Sequence, residues 1–294
     1  MNTLLSDRTK FRKLDSCKDL NEKTECQLTT ALKFLKQYQY ISEHTYNELK
    51  PSGTYTPRLY GLSKVHKPEV PLRQILDMSN SPYHSTVKWL VKLLEPLHQE
   101  LVKNSVKDVF EFVGSIKIMN INGKTMLSLD IASLFPNVSL TETIEYIREQ
   151  VLEKETEIPI PVSKVKELLL KCTMNIYFKF NNEFYRQVSG VAMGSSLGPI
   201  LVDIFLAKLE NGPLKDILSK LNYYCRYIDD TLIVCDENVD KQEMWNFFNN
   251  VHPAIKFTSE EEKDNSITFL DVLLSRRRDG SIKRYIFRKN TWTG

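Results

Sequence analysis

Apolar residues recur at helical spacing early in the chain. Between 24 and 41, Leu28, Leu32, Leu35 and Tyr38 fall three or four apart, which predicts an amphipathic helix. Pro51-Ser-Gly53 breaks it. From 55 to 78, short apolar and basic residues alternate among prolines, predicting two short strands joined by a turn near Pro68. A long helix follows, with Val87, Leu90, Val91, Leu94 and Leu97 on one face. Asn122-Gly123 marks a turn, and Met126–Ile131 reads as a buried strand carrying Asp130 near its end. Residues 140–153 predict a helix with Ile144, Ile147 and Val151 inward, and Val162–Cys172 predicts another. Asn175–Val188 reads as a hairpin turning at Asn181-Asn182. A glycine-bearing loop, 189–199, leads into a helix at Ile200–Leu209 that is apolar almost all round and so expected to be buried.

Residues 221–235 set apolar and aromatic side chains on both sides of Asp229 and Asp230, predicting a hairpin with both acids at its tip. A helix with Trp245 and Phe248 comes next. Ile255–Thr258, Ile267–Ser275 and Ser281–Phe287 then read as strands, the last two joined through Asp279-Gly280. Residues 1–23 show no clear period. The pattern is α+β: a small antiparallel sheet backed by helices, preceded by a region of strands and loops.

Composition adds bounds. A chain of 294 residues suits one large or two moderate domains, and 41% apolar with 26% charged residues is ordinary for a globular protein. A net charge of +3 names no partner, but the charge is unevenly spread. Residues 50–108 hold nine Lys/Arg against five acids, and residues 270–294 hold seven against two. Two basic ends around an acidic centre suit a polyanion carried over a metal site, although such clusters are commonly solvated faces. The five cysteines are odd in number and lack metal-ligand spacing, so they read as reduced and structural. With no secretory signal and no long apolar run, the expected setting is intracellular, nuclear or cytoplasmic, without membrane association.

The chemistry gathers at Tyr227-Ile-Asp-Asp230. Adjacent carboxylates between buried strands repel each other and resist desolvation, and a hard divalent cation relieves both problems. An ordinary acidic turn has the same letters. Asp130 reads equally as a strand-end cap. If its strand pairs with the hairpin, however, the acids converge from distant segments. Two ions about 3.5–4 Å apart on such carboxylates perform in-line displacement at phosphorus. One activates an attacking 3′-hydroxyl and the other stabilises leaving pyrophosphate. Lys64 and Arg73 are placed to clamp a triphosphate, or are simply surface charge.

Taken together, Leu129-Asp-Ile-Ala-Ser-Leu-Phe135, Ala192-Met-Gly-Ser-Ser-Leu-Gly-Pro199 and Arg226-Tyr-Ile-Asp-Asp-Thr231 stand in the order and spacing of reverse transcriptase motifs A, B and C. More narrowly, the chain resembles the reverse transcriptase of Penelope-like retroelements. That resemblance is carried by Pro57-Arg-Leu-Tyr-Gly-Leu-Ser-Lys-Val-His-Lys-Pro68, the Met-Gly-Ser string at 193–195, Ile255-Lys-Phe-Thr258, Ile267-Thr-Phe-Leu-Asp-Val272 and Arg288-Lys-Asn-Thr-Trp-Thr-Gly294. It covers roughly residues 25–294.

The resemblance implies a right-hand polymerase with fingers and an antiparallel palm sheet backed by helices, the thumb truncated. It implies an amino-terminal helical extension over 1–50, fingers over 51–125, a palm over 126–275 with interleaved finger elements at about 140–188, and the palm end with the start of a missing thumb over 276–294. The implied activity is RNA-directed DNA synthesis from a primer 3′-end, using dNTPs, an RNA or DNA template and two Mg²⁺ ions, or Mn²⁺. Asp130, Asp229 and Asp230 match the catalytic acids, with Asp229 the more direct metal ligand. Ile131 would offer its carbonyl to the nucleotide-side ion. Phe135 matches the aromatic gate against a 2′-hydroxyl, and Lys64 and Arg73 match the triphosphate contacts. Met193 and Gly194 match the turn beside the nascent base pair. Phe269 and Leu270 match the primer grip. Lys263 stands where a proton-donating lysine would, among four acids that equally suit a solvated lysine.

Four positions depart from the family pattern. Ser63, Gln74 and Ser196 replace usual prolines, and Gly198 replaces a usual serine. They loosen turns near the nucleotide without touching an expected metal ligand. The chain also ends before the expected thumb and lacks the GIY-YIG endonuclease of many members. Two readings follow: a polymerase, or a non-enzymatic remnant that keeps a nucleic-acid-binding palm.

Overall fold

A short strand, β1, spans Phe11–Lys13. The computed structural model describes residues 5–14, 20–63, 65, 70 and 72–288. Helices α1 (Leu20–Gln37) and α2 (Glu43–Leu49) follow, then the hairpin β2 (Arg58–Ser63) and β3 (Leu72–Asp77), and α3 (His84–Leu101). Next come α4 (Val109–Ser115), β4 (Lys124–Ile131), α5 (Leu134–Asn137), α6 (Leu140–Glu153) and α7 (Val162–Thr173). The hairpin β5 (Ile176–Phe180) and β6 (Glu183–Gln187) precedes α8 (Leu197–Asn211) and α9 (Lys215–Leu218). The rest is β7 (Tyr223–Tyr227), β8 (Asp230–Asp236), α10 (Lys241–Asn250), β9 (Phe257–Glu261), β10 (Ser266–Phe269), β11 (Val272–Arg276) and β12 (Ile282–Ile286).

Local chemistry accounts for most boundaries. Leu28, Leu32 and Leu35 of α1 are buried as their spacing requires, but Tyr38 lies past the helix end and is exposed. Gln39 there takes φ +60°, the left-handed conformation that ends helices. Ser42, Asp108, Ser139 and Asp240 cap α2, α4, α6 and α10 by accepting backbone N–H bonds. Asn181 and Asn182 both have positive φ, the type I′ turn expected of an Asn-Asn hairpin. Helix α8 is buried on nearly every side, as a helix apolar almost all round is expected to be. Helices α2 and α4 span only seven residues each, too short to show a 3.6-residue period in the sequence.

The chain divides into two compact units. The first holds residues 1–100 and 135–205, the second 101–134 and 206–294. In the first, a five-stranded sheet runs β1-β6-β5-β2-β3, antiparallel except for the β2–β5 pairing. In the second, a four-stranded antiparallel sheet runs β7-β8-β4-β9, beside a three-stranded meander β10-β11-β12. Their shared core includes Phe112, Met126, Leu232, Val234, Ile267, Phe269 and Leu274.

Three expectations are corrected. Ile267–Ser275 is not one strand: it folds back at Leu270-Asp271, so β10 pairs with β11. Leu270 takes φ +54°, a conformation that an apolar run does not advertise and that packing of both strands imposes. The strand expected at Ile255–Thr258 begins at Phe257, because Ile255 closes a turn onto His252. In the central hairpin the tip is Ile228-Asp229, and Asp230 is already the first residue of β8. Pro68 and the turn expected there fall outside the described residues.

Candidate nucleotidyl-transfer site

In the second unit, β4 is the central strand, flanked by β8 and β9. Register sets Asp130 directly opposite Asp230 on β8 and Thr258 on β9. The Ile131 N–H donates to the Asp229 carbonyl at 3.0 Å. That bond makes Asp130 and Asp230 a non-hydrogen-bonded pair, the kind whose side chains approach most closely, with Cβ atoms about 4.5–5.5 Å apart. Both acids are half-buried and share one face of the sheet, since cross-strand partners project to the same side. Asp229 is held in the two-residue turn, and its backbone carbonyl is what β4 grips. A strand residue's N–H and C=O lie along the same edge, so the Ile131 carbonyl faces the turn as well.

Of the turn's two central residues, only Ile228 has positive φ, at +56°, which defines a type II′ turn. A β-branched residue there is strained by about 1–3 kcal/mol. A buried ion pair holds the turn. Arg226 Nε donates to Glu210 Oε1 at 2.7 Å, with both side chains almost inaccessible to solvent. Arg226 also donates through Nη1 to the Ile228 carbonyl at 3.3 Å. Tyr224 adds its hydroxyl to Glu210 Oε1 at 3.0 Å. Burial and the Glu210 charge keep that phenol neutral, its pKa pushed well above the usual value. Sequence reasoning missed Arg226 and Glu210. The available signal was Glu210 at the end of a mostly apolar helix, where a buried acid must find a cation.

The face carrying the acids also carries Met126, Leu232 and Val234, which pack with Phe269 of the β10–β11 hairpin. The Phe269 ring meets Phe112 edge-on at 4.8 Å, and Leu270 at the hairpin tip is half-buried against the same cluster. Leu270-Asp271 thus repeats the geometry of Ile228-Asp229: a bulky apolar residue at positive φ, then an aspartate. Lys263 lies in the turn before β10, its backbone paired with Ser266.

In the first unit, Arg73 is exposed on β3 opposite Leu62. Phe135 is half-buried on α5, and its carbonyl accepts from the Val191 N–H at 2.9 Å. A Cβ at Gly198 would stand 3.3 Å from the Phe135 ring, so the ring rests against that glycine. Met193 accepts at its carbonyl from Leu76 N–H at 2.8 Å, which ties the 191–196 loop to β3. Gly194 has φ +108°, and a Cβ there would sit 2.1 Å from the Leu76 carbonyl oxygen. Only glycine fits. Lys64 lies outside the described residues.

Carboxylate oxygens are the donors that Mg²⁺ and Mn²⁺ prefer. Among the described residues, no three His, Cys, Asp or Glu side chains are arranged to hold a metal ion. A facing carboxylate pair still fits Mg²⁺, which is bound through one or two carboxylates, with substrate phosphates and water completing the shell. Of the described helices, none is long and apolar enough to cross a membrane.

The family model for reverse transcriptase (RNA-dependent DNA polymerase) matches residues 6–268. No curated protein matches the chain. Among solved structures, apo telomerase from Candida tropicalis aligns with a TM-score of 0.64 at 12% identity, covering 97% of this chain and 50% of that one. Telomerase from Candida albicans with a TWJ fragment of telomeric RNA gives 0.61 at 12%, covering 97% and 54%. The RNA-dependent RNA polymerase of BmCPV at its elongation state gives 0.55 at 12%, covering 99% and 28%. The chain spans about half the length of the telomerases and less of the viral enzyme, and at these identities the likeness is one of fold. A family match over nearly the whole sequence places this chain in the reverse transcriptase (RNA-dependent DNA polymerase) family.

Proposed function

We propose that this protein is an RNA-directed DNA polymerase that adds deoxynucleotides to a primer 3′-end, and that it derives from a Penelope-like retrotransposable element. The observation that carries the reading is the facing pair Asp130 and Asp230, fixed by the β4–β8 register in a chain of this family. Asp130, Asp230 and the adjacent Asp229 would hold Mg²⁺ or Mn²⁺, with the Ile131 carbonyl beside them. When bound, such ions neutralise charge at the reacting phosphate and lower the pKa of the attacking hydroxyl. Everything else falls to side chains. Arg73 and Lys64 bind the triphosphate. The Phe135 ring, braced by Gly198, excludes a 2′-hydroxyl. Met193 and Gly194 shape the floor under the nascent pair, and Phe269 and Leu270 support the primer end.

Primer extension on an RNA template with dNTPs and Mg²⁺ or Mn²⁺ tests the reading, beside a double variant Asp229→Ala, Asp230→Ala. Equal signals from both proteins would sink it. Phe135→Ala should raise ribonucleotide incorporation, and unchanged discrimination would remove Phe135 from the gate. The alternative is a non-catalytic remnant that keeps a nucleic-acid-binding palm fold. That reading predicts template binding without extension.

A further inference from the structure

Helix α4 of the second unit and the turn that closes it are apolar on two opposite sides. Phe112 and Ile116 face inward, fully buried in that unit's core, with Val109 and Val113 packed half-buried beside them. Phe110 and Ile118 face outward, 83% and 94% exposed, the two most exposed large apolar side chains among the described residues. Gly114 stands midway between them, one helical turn after Phe110, and a Cβ there would meet nothing within 4 Å. A lone exposed apolar residue is ordinary on a protein surface. Two of them in line with an open glycine, on a helix anchored in the core by its other face, form a surface on which a second helix can close.

The charges beside this stripe are opposite in sign. The chain keeps winding past α4, with the Ile116 N–H on the Phe112 carbonyl and the Lys117 N–H on the Gly114 carbonyl. At about 3.6 residues per turn, Phe110 and Ile118 lie about 40° to either side of Gly114, so the stripe runs obliquely across the helix. Glu111 and Lys117 lie about 60° out, on opposite flanks of it. Both are exposed, and Glu111 Oε2 accepts the Lys107 N–H at 2.6 Å, which fixes that carboxylate beside the stripe. A two-fold axis laid along the stripe exchanges the two flanks. It sets Glu111 of one copy against Lys117 of the other, twice, with Gly114 at the crossing. An axis laid across the stripe would set acid on acid and base on base.

We propose that this face joins two copies of the chain. The Phe110 rings meet each other, as do the Ile118 side chains, Gly114 lets the two backbones approach, and each Glu111 pairs with Lys117 of the second copy. Self-complementarity in sign and spacing is what selects a second copy: a foreign acidic or basic helix would match one flank and oppose the other. A contact of this size is small, so the association is weak and reversible. The inference stands on the second unit alone and does not depend on the polymerase reading.

The test is sedimentation equilibrium of the full, nuclease-treated chain over a micromolar to near-millimolar concentration series. The wild-type average mass should rise toward twice that of one chain. Phe110→Ser should weaken association at least about tenfold, as loss of a central aromatic anchor does. Gly114→Gln should abolish it. Its thermal midpoint should hold or rise, since the side chain enters open space and favours the helix, so the loss is not misfolding. Glu111→Lys and Lys117→Glu should each weaken self-association by roughly threefold to thirtyfold. Mixed together, these two variants should associate more tightly than either alone, because every flank of the mixed pair then joins opposite charges. A wild type that stays monomeric throughout the series would overturn the proposal. So would wild-type association in Phe110→Ser or Gly114→Gln, which would assign the dimer to another surface, and so would a mixture no tighter than its parts. Wild-type primer extension is scored separately: a chain that dimerises through α4 yet extends nothing refutes the polymerase reading and leaves this one intact.

Discussion

Asp230 faces Asp130 across a non-hydrogen-bonded position of the β4–β8 ladder, while Asp229 is held one residue away in the turn. Two carboxylates so placed repel when both are ionised. Millimolar Mg²⁺ should therefore raise the thermal midpoint of the wild-type protein, by linkage of binding to folding. In Asp130→Asn or Asp230→Asn the gain should shrink or vanish. Differential scanning fluorimetry reads it directly, and an equal Mg²⁺ shift in wild type and both variants would remove these acids from the metal site.

Arg226 and Glu210 form a buried pair, and removing one partner strands the other's charge. Glu210→Ala should cost about 3–5 kcal/mol in denaturant unfolding. Arg226→Lys keeps the charge but loses the fork that reaches both Glu210 and the Ile228 carbonyl. It should fold, with a lower maximal extension rate and little change in nucleotide KM. A change confined to KM would show that the pair does not position the turn.

Gly194 admits no Cβ, since one would stand 2.1 Å from the Leu76 backbone oxygen at φ +108°. Gly194→Ala should destabilise the first unit by about 3 kcal/mol or more, combining strain with a backbone clash. Gly114→Ala is the control: its Cβ would meet nothing within 4 Å, and it sits inside α4. It should be neutral or slightly stabilising.

Burial pushes the Cys225 thiol up to about 11, the Cys172 thiol up to about 12, and Cys235 upward as well. Thiols whose folded pKa lies above the unfolded value of about 8.5 leave stability intact below that pH. Stability is then lost as pH rises through the 8.5–12 window, where the unfolded chain ionises first. Midpoints measured from pH 7 to 11 should fall in that sense. At neutral pH, alkylation followed by mass spectrometry should modify Cys26 and spare Cys172, Cys225 and Cys235.

Ile228 bears left-handed strain at the tip of the central hairpin. Ile228→Gly should leave stability unchanged or raise it by up to about 1 kcal/mol, as relief of strain offsets the added freedom of the unfolded chain. Extension should slow, because a glycine lets the turn leave the conformation that presents Asp229 and Asp230. A variant that is both less stable and fully active would contradict that account.

Much of the fold was legible locally. The helices at 140–153 and 162–173, the type I′ turn at Asn181-Asn182 and the buried α8 all follow from periods and turn chemistry contained within ten to twenty residues. The candidate acids were legible too, because a strand ending in Asp130 and a hairpin bearing two aspartates are each local patterns. What the sequence could not settle was which aspartate faces Asp130, since that register joins segments 100 residues apart and a one-residue slip reverses the faces. Nor could it place turns at Ile228 and Leu270, where bulky residues take φ values that only packing around them enforces. The same holds for Arg226, an ordinary strand residue by its neighbours, buried only because Glu210 arrives from helix α8 to share its charge. Local sequence determined the elements and the chemistry they carry. Long-range packing decided which groups meet, because the free energy of register and ion-pair burial lies in contacts that no short stretch contains.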